Sequence, residues 1–136
     1  MVNIKALSLI QPWASLIMDG RKTIETRSWA TKYRGPLAIH ASLKLDKEAA
    51  KQFGYLLAIP ARLVIANLPF LLPRGAVLGI AILKGCVQFP NTLAPPDPYG
   101  DFTPGRFGWL FMNAKAFEHP IPAKGHLGLW EWEGMP

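Results

Sequence analysis

Between Gly20 and Arg27 the chain reads Gly20-Arg21-Lys22-Thr23-Ile24-Glu25-Thr26-Arg27. No other stretch combines an amine, a carboxylate and a guanidinium so closely. Lys22 can act as a point charge for a phosphate, or as a general base where a dry cleft lowers its pKa. The plainer alternative is a solvated lysine at a strand end. Glu25 and Arg27 stand two apart, so in extended chain they share a face. They suit an ion pair at a cleft mouth, with Arg27 reaching a phosphate or a base edge through both nitrogens. Glu25 is equally a candidate general base for hydrolysis, and the pair is equally a structural tie at the end of a sheet.

The charge around this stretch is concentrated. From Gly20 to Arg34 there are Arg21, Lys22, Arg27, Lys32 and Arg34 against Glu25 alone. Five cations less one acid is +4, out of +6 for the whole chain. Such a field favours a polyanionic or phosphate-bearing partner, and Arg21, Lys32 and Arg34 are candidate phosphate contacts. Trp29 and Tyr33 lie among these cations in a polar loop, where an unstacked base can rest on an aromatic ring. Trp13, on the apolar side of a short helix, is assigned to the core, as are Trp109, Trp130 and Trp132.

The remaining composition narrows the classes. Half of the 136 residues are apolar and 18% are charged, which excludes a disordered chain and fits a single domain over residues 1–136. The lone Cys86 rules out an intrachain disulfide. His40, His119 and His126 have no metal-ligand spacing, so no metal and no cofactor are expected. The apolar region 53–83 is broken by Pro60, Pro69 and Pro73 and is expected to be core, not a membrane span. With no signal-peptide pattern at Met1-Val2-Asn3-Ile4-Lys5, a cytoplasmic protein is expected.

Several elements must hold the charged stretch. Residues 4–10 read as a strand, and Gln11-Pro12 opens a helix whose apolar face is Trp13, Leu16 and Ile17. Gly20 stands where a left-handed helix end is expected. Lys22 to Ser28 reads as a strand whose alternation puts Lys22 opposite in face to Glu25. A strand is expected over 37–41, and a helix from an Asp46 cap to about Leu57, with another turn or two over 61–67. Residues 75–89 are β-rich. The proline-rich stretch 90–106 suits a lid or binding loop. Strands are expected over 107–117 and 127–133, separated by a turn at Pro120 and Pro122. Strands mixed with short helices suggest an α+β fold with a small mixed β-barrel.

Two passages together resemble a known family. Leu7-Ser8-Leu9-Ile10-Gln11-Pro12-Trp13-Ala14, followed by Gly20 to Arg27, is similar to the N-terminal signature of the ASCH domain, whose G-x-K-x-x-E-x-R motif is matched at all four fixed positions. The closing Pro122-Ala123-Lys124-Gly125-His126-Leu127-Gly128-Leu129-Trp130 resembles the end of such domains. The resemblance implies a PUA-like mixed β-barrel with short peripheral helices and a cleft beside the barrel. It implies RNA binding: single-stranded RNA or a nucleotide held in a basic cleft by Arg21, Lys22, Arg27, Trp29, Lys32, Tyr33 and Arg34, with no membrane and no obligate protein partner.

The resemblance also implies an alternative. Some family members are hydrolases acting on N4-acetylated cytidine, in which the motif lysine activates a nearby threonine with help from a distant glutamate. Lys22 matches that lysine, and Glu25 stands where the threonine would align, with Thr23 and Thr26 beside it. Asp97 and Asp101 of the proline-rich loop are candidates for the distant acid. The alternative is therefore a small hydrolase, a ribonuclease or N4-acetylcytidine amidohydrolase-like enzyme acting on RNA or a modified nucleoside through Lys22 and Glu25.

Overall fold

The computed structural model of the chain describes residues 2–58, 72–91 and 94–135. The helical turns expected over 61–67 lie outside the described residues. In chain order the elements are β1 (Val2–Gln11), α1 (Trp13–Met18), β2 (Ile24–Arg27), β3 (Gly35–Leu45), α2 (Lys47–Phe53), a 3-10 turn over Gly54–Leu57, β4 (Ala76–Gln88), β5 (Phe107–Pro122) and β6 (Leu129–Met135). The six strands form one sheet in the order β2-β5-β4-β3-β1-β6. Among the described residues only β1 and β3 run parallel; every other pairing is antiparallel.

The sheet is curled and open rather than a closed barrel. β2, four residues long, is one edge and β6 is the other, and among the described residues no ladder joins them. The inner face carries alternate apolar residues, among them Leu7, Leu9, Leu37, Ile39, Leu83 and Trp109, all almost fully buried. Ala14 and Ile17 of α1 pack into the same cluster, so this six-residue helix plugs the core. Burial contributes roughly 1.5–3 kcal/mol for each large side chain, which sustains a helix too short to persist alone.

Gln11 explains why the helix starts where it does. Its fully buried side chain accepts from the Ser15 backbone N–H at 3.0 Å and donates to Ser15 Oγ and the Pro73 carbonyl, both at 2.8 Å. Its own carbonyl accepts from the Asp46 N–H at 2.7 Å. A single glutamine therefore ties the start of α1 to the start of α2. Past the helix, Gly20 adopts φ +87°, the left-handed conformation expected there.

The strand expected over 37–41 runs longer, Gly35–Leu45, and three further boundaries differ from the sequence expectation for a visible physical reason. α2 stops at Phe53 and gives way to the 3-10 turn at Gly54, a weak helix former. β5 continues through Pro120 and Pro122. Ile121 pairs with Val77 and Ala116 with Gly79, so a register shift leaves 117–120 outside the regular ladder, where a proline's missing N–H costs little. β2 begins at Ile24, not Lys22, because the Lys22 N–H donates to the Leu16 carbonyl at the end of α1.

A neutral network crosses the other side of the sheet. Trp130 Nε1–H donates to Ser8 Oγ at 3.2 Å, and His40 Nε2 lies 2.8 Å from the Ala123 carbonyl. A carbonyl only accepts, so Nε2 carries the proton and Nδ1 accepts from the Ser8 hydroxyl at 2.9 Å. Burial pushes the His40 pKa below its ordinary 6.5, more than its bond to Ala123 raises it. The unfolded chain thus takes up a proton here at higher pH than the folded one. Stability from this group is complete above about pH 6.5 and is lost as pH falls from there towards the lower folded value. His40→Gln removes the titration, so chemical denaturation at pH 7.5 and pH 5.5 is expected to show a larger loss in the wild type than in the variant. Equal losses would refute the assignment.

Candidate functional site

Lys22 is 1% exposed. Its ammonium donates to the Ile24 carbonyl at 2.7 Å and the Tyr99 carbonyl at 2.5 Å, and lies 3.5 Å from Glu25 Oε1. Three N–H groups meet three acceptors. Nζ also lies 5.3 Å from the centre of the Trp13 ring, within cation–π range. Burial pushes the Lys22 pKa below 10.5, while the charges of Glu25 and then Asp97 push it back up.

Glu25 passes the charge on. Its Oε2 accepts from Arg27 Nε at 2.9 Å, and Arg27 Nη2 donates to the Ser8 carbonyl at 2.9 Å. Edge strand β2 is thus tied to β1, four strands away in the sheet order. Where backbone pairing leaves the sheet open, a guanidinium bridges it. Because Lys22 precedes β2 and lies outside its alternation, it meets Glu25 on the same side rather than facing away.

The proline-rich segment lies across β2. Besides the Lys22 bond at Tyr99, the Asp101 N–H donates to Thr26 Oγ1 at 3.0 Å and Arg106 Nη2 donates to the Thr26 carbonyl at 3.3 Å. Gly100 makes the close approach possible: a Cβ there would come within 2.8 Å of the Thr26 methyl. Phe89 and Phe102 pack with ring centres 5.1 Å apart behind the segment.

Between α1, α2, β2 and this segment is a cavity of about 490 Å³. Its aromatic wall is continuous, Trp13 to Phe53 at 5.8 Å and Phe53 to Tyr99 at 5.0 Å between ring centres. Among the described residues its charged lining is Lys22 with Glu25, Asp46, Glu48 and Asp101, one cation and four carboxylates, formally −3. Asp46 reaches the cavity because it caps α2, accepting the Ala49 N–H at 3.0 Å. The Thr103 hydroxyl and N–H hold the Asp101 carboxyl below its ordinary pKa, so it is charged at neutral pH.

Of the residues singled out from the sequence, Lys22 and Glu25 line the cavity, and Arg27 backs Glu25. The others lie elsewhere. Arg21 is exposed and pairs with Asp19 at 3.1 Å. Lys32 and Arg34 are exposed, with Arg34 turned onto the Thr31 and Tyr33 carbonyls. Trp29 packs edge-on against Trp109 with ring centres 4.7 Å apart, and the Tyr33 hydroxyl donates to the Pro36 carbonyl. The cavity is therefore not the expected basic cleft; the exposed cations lie outside it. Trp13, assigned to the core, is a cavity wall. Phe53, Tyr99 and Asp46 were missed as site residues. The length of the proline-rich loop was the one signal pointing towards Tyr99. Among the described residues no cluster of three or more His, Cys, Asp or Glu has metal-binding geometry.

Comparison with known proteins fits this architecture. Residues 7–121 match the ASCH domain. The chain belongs to the ASCH domain family. Its 31% identity to the human protein Activating signal cointegrator 1 extends over 134 residues, 92% of this chain and 22% of that protein. The mouse protein of the same name is also 31% identical, over 135 residues. The chain thus spans about a fifth of the length of these relatives. The crystal structure of ASCH from Zymomonas mobilis superposes with a TM-score of 0.52 at 19% identity, over 87% of this chain and 72% of that one. That likeness supports the PUA-like α+β fold, here a six-stranded mixed sheet with two short helices. Among the described residues no helix of this ASCH domain is long and apolar enough to cross a membrane.

The ionic chain gives a stability prediction. Lys22→Met keeps the stem but leaves Glu25 with Arg27 alone and two carbonyls without their donor. A loss of about 3–5 kcal/mol is expected in denaturant titration. A loss below about 1 kcal/mol would show that Lys22 does not hold these elements together.

Proposed function

We propose that this ASCH domain binds single-stranded RNA or a nucleotide, taking one unstacked base into the aromatic-walled cavity while the phosphates follow the cations outside it. The observation carrying this reading is the continuous wall of Trp13, Phe53 and Tyr99 beside the family motif. A cavity of about 490 Å³ falls in the range of small-ligand sites. Unstacked bases bind on aromatic side chains, and backbone phosphates on exposed Arg and Lys. Arg21, Lys32 and Arg34 are the candidates for the latter. Lys22, saturated by three acceptors, acts as the brace of the cavity and not as a phosphate ligand. A cytoplasmic setting, expected from the sequence, belongs to the same reading.

Hydrolysis of RNA or of a modified nucleoside is the second reading. The observation favouring it is a buried amine with a lowered pKa beside a carboxylate. Against it, the carbonyls of Ile24 and Tyr99 and the Glu25 carboxylate all stabilise the ammonium form, which is no base. Incubation with short single-stranded RNA separates the two: intact strands with salt-sensitive binding fit recognition, and products that vanish in a Lys22→Ala variant whose melting curve shows it folded at the assay temperature fit hydrolysis.

Two variants test the recognition reading by fluorescence anisotropy. Tyr99→Ala keeps the backbone carbonyl that Lys22 uses but removes a stacking face, and is expected to weaken binding by about tenfold or more, from roughly 1–3 kcal/mol per stacked base. The double variant Lys32→Ala with Arg34→Ala is expected to flatten the slope of log affinity against log salt by about 1.4, from roughly 0.7 per phosphate contact on a single strand. Affinity independent of salt in the wild type would sink the reading.

A further inference from the structure

We propose that the cavity selects guanine among the four bases, through the carboxylate of Asp46. This inference rests on the reading of the cavity as a nucleotide site and names what that site prefers.

The charged lining is set up to accept hydrogen bonds. Its one cation among the described residues, Lys22, has its N–H groups engaged by Ile24, Tyr99 and Glu25. The four carboxylates accept only. Three of them already face a cation: Glu25 faces Lys22 and Arg27, Glu48 faces Lys51 at 3.5 Å, and Asp101 faces Arg106 at 3.4 Å. Asp46 alone of the four has no cationic partner among the described residues. It is half-buried, and the Ala49 N–H takes up Oδ1 while leaving Oδ2 unclaimed. The Gln11 carbonyl, bonded to the Asp46 N–H, fixes the backbone of that residue against α1.

The chemistry of the bases then decides. Guanine presents N1–H and the N2 amino group side by side, two donors that match the two oxygens of one carboxylate. Each carboxylate oxygen has two lone pairs, so Oδ1 can take a second donor while still capping α2. Cytosine and adenine offer a single amino group beside a ring nitrogen that accepts. Uracil offers one N–H between two carbonyls, whose lone pairs would face the carboxylate. A phosphate is the poorest occupant, since it would meet four acids with no free donor from Lys22. The aromatic wall holds any base; the carboxylate discriminates between them.

The test uses the whole chain and short labelled oligouridine strands in which one central nucleotide is guanosine, cytidine, adenosine or uridine. The guanosine strand is expected to bind at least about tenfold tighter than the all-uridine strand, the size of one bidentate side chain–base pairing. Asp46→Asn keeps the helix cap, since Asn caps as well as Asp, and is expected to shrink that preference to within about threefold. A melting curve close to that of the wild type confirms that the variant is folded. Equal binding of all four strands overturns the inference and leaves the recognition reading standing. Binding of none overturns both. A guanosine preference that persists in Asp46→Asn, or a preference for another base, removes Asp46 from the role.

Discussion

Everything around the cavity depends on one buried ammonium ion. An unpaired charge in the interior is so costly that it is found only with partners, and the partners of Lys22 come from different parts of the chain. Ile24 belongs to the start of β2, Tyr99 to the segment laid across it, and Glu25 leads through Arg27 to β1. None of these elements is stable alone. β2 is four residues long and lies at a sheet edge. The proline-rich segment has no regular hydrogen bonding of its own. The need to satisfy one charge fixes all three relative to α1, and so gives the cavity its shape.

This accounts for the form of the family motif in this chain. Gly20 turns the backbone out of α1 with a positive φ. Lys22 follows before the strand begins, which lets its stem run inward beneath Trp13. Glu25 and Arg27 then fall on the same face of β2, two residues apart. The carboxylate is shared, Oε1 towards Lys22 and Oε2 towards Arg27, so each cation neutralises it from one side. Arg27 backs Glu25 from outside the cavity, so the motif brings one charge of each sign, Lys22 and Glu25, to the described lining. The acids of α2 and the proline-rich segment therefore set the sign of the field there, while the remaining cations of the stretch stay in solvent. Positive charge close in sequence has been separated in space into a structural group and a surface group.

That separation marks the limit of what the sequence made legible. The motif, the Asp46 cap, the Gly20 turn and the in–out alternation of Trp130 and Trp132 against Glu131 and Glu133 follow from local rules, and the structure holds all of them. Pairing across the sheet does not follow from local rules. Alternation counted from Lys22 puts it opposite Glu25, but the strand begins two residues later because the Lys22 N–H makes a tertiary hydrogen bond to the Leu16 carbonyl. Trp13 sits on an apolar helix face, which suits a core residue and a cavity wall equally. Phe53, Tyr99 and Asp46 reach the cavity from nineteen or more residues beyond Arg27, through contacts that no spacing in one chain announces. The net charge of the 20–34 stretch was correct as a sum and uninformative about which side chains would face inward.

Ser8 shows how the two halves of the molecule are joined. Its hydroxyl belongs to the neutral network with His40 and Trp130, and its carbonyl belongs to the ionic chain through Arg27. The β1–β6 ladder ends at the pair Leu7 and Leu129, so β6 does not continue alongside Ser8, and the guanidinium takes the carbonyl instead. Gly125 seals this point from the other side, since a Cβ there would lie 2.6 Å from both Ser8 Oγ and the His40 ring. The two sequence passages that resemble the family, one near each end of the chain, thus converge on a single residue of β1. The first supplies the charge that braces the cavity. The second supplies the packing around its anchor, with Gly125 against Ser8 and the His40 ring on one side and Arg27 on the Ser8 carbonyl.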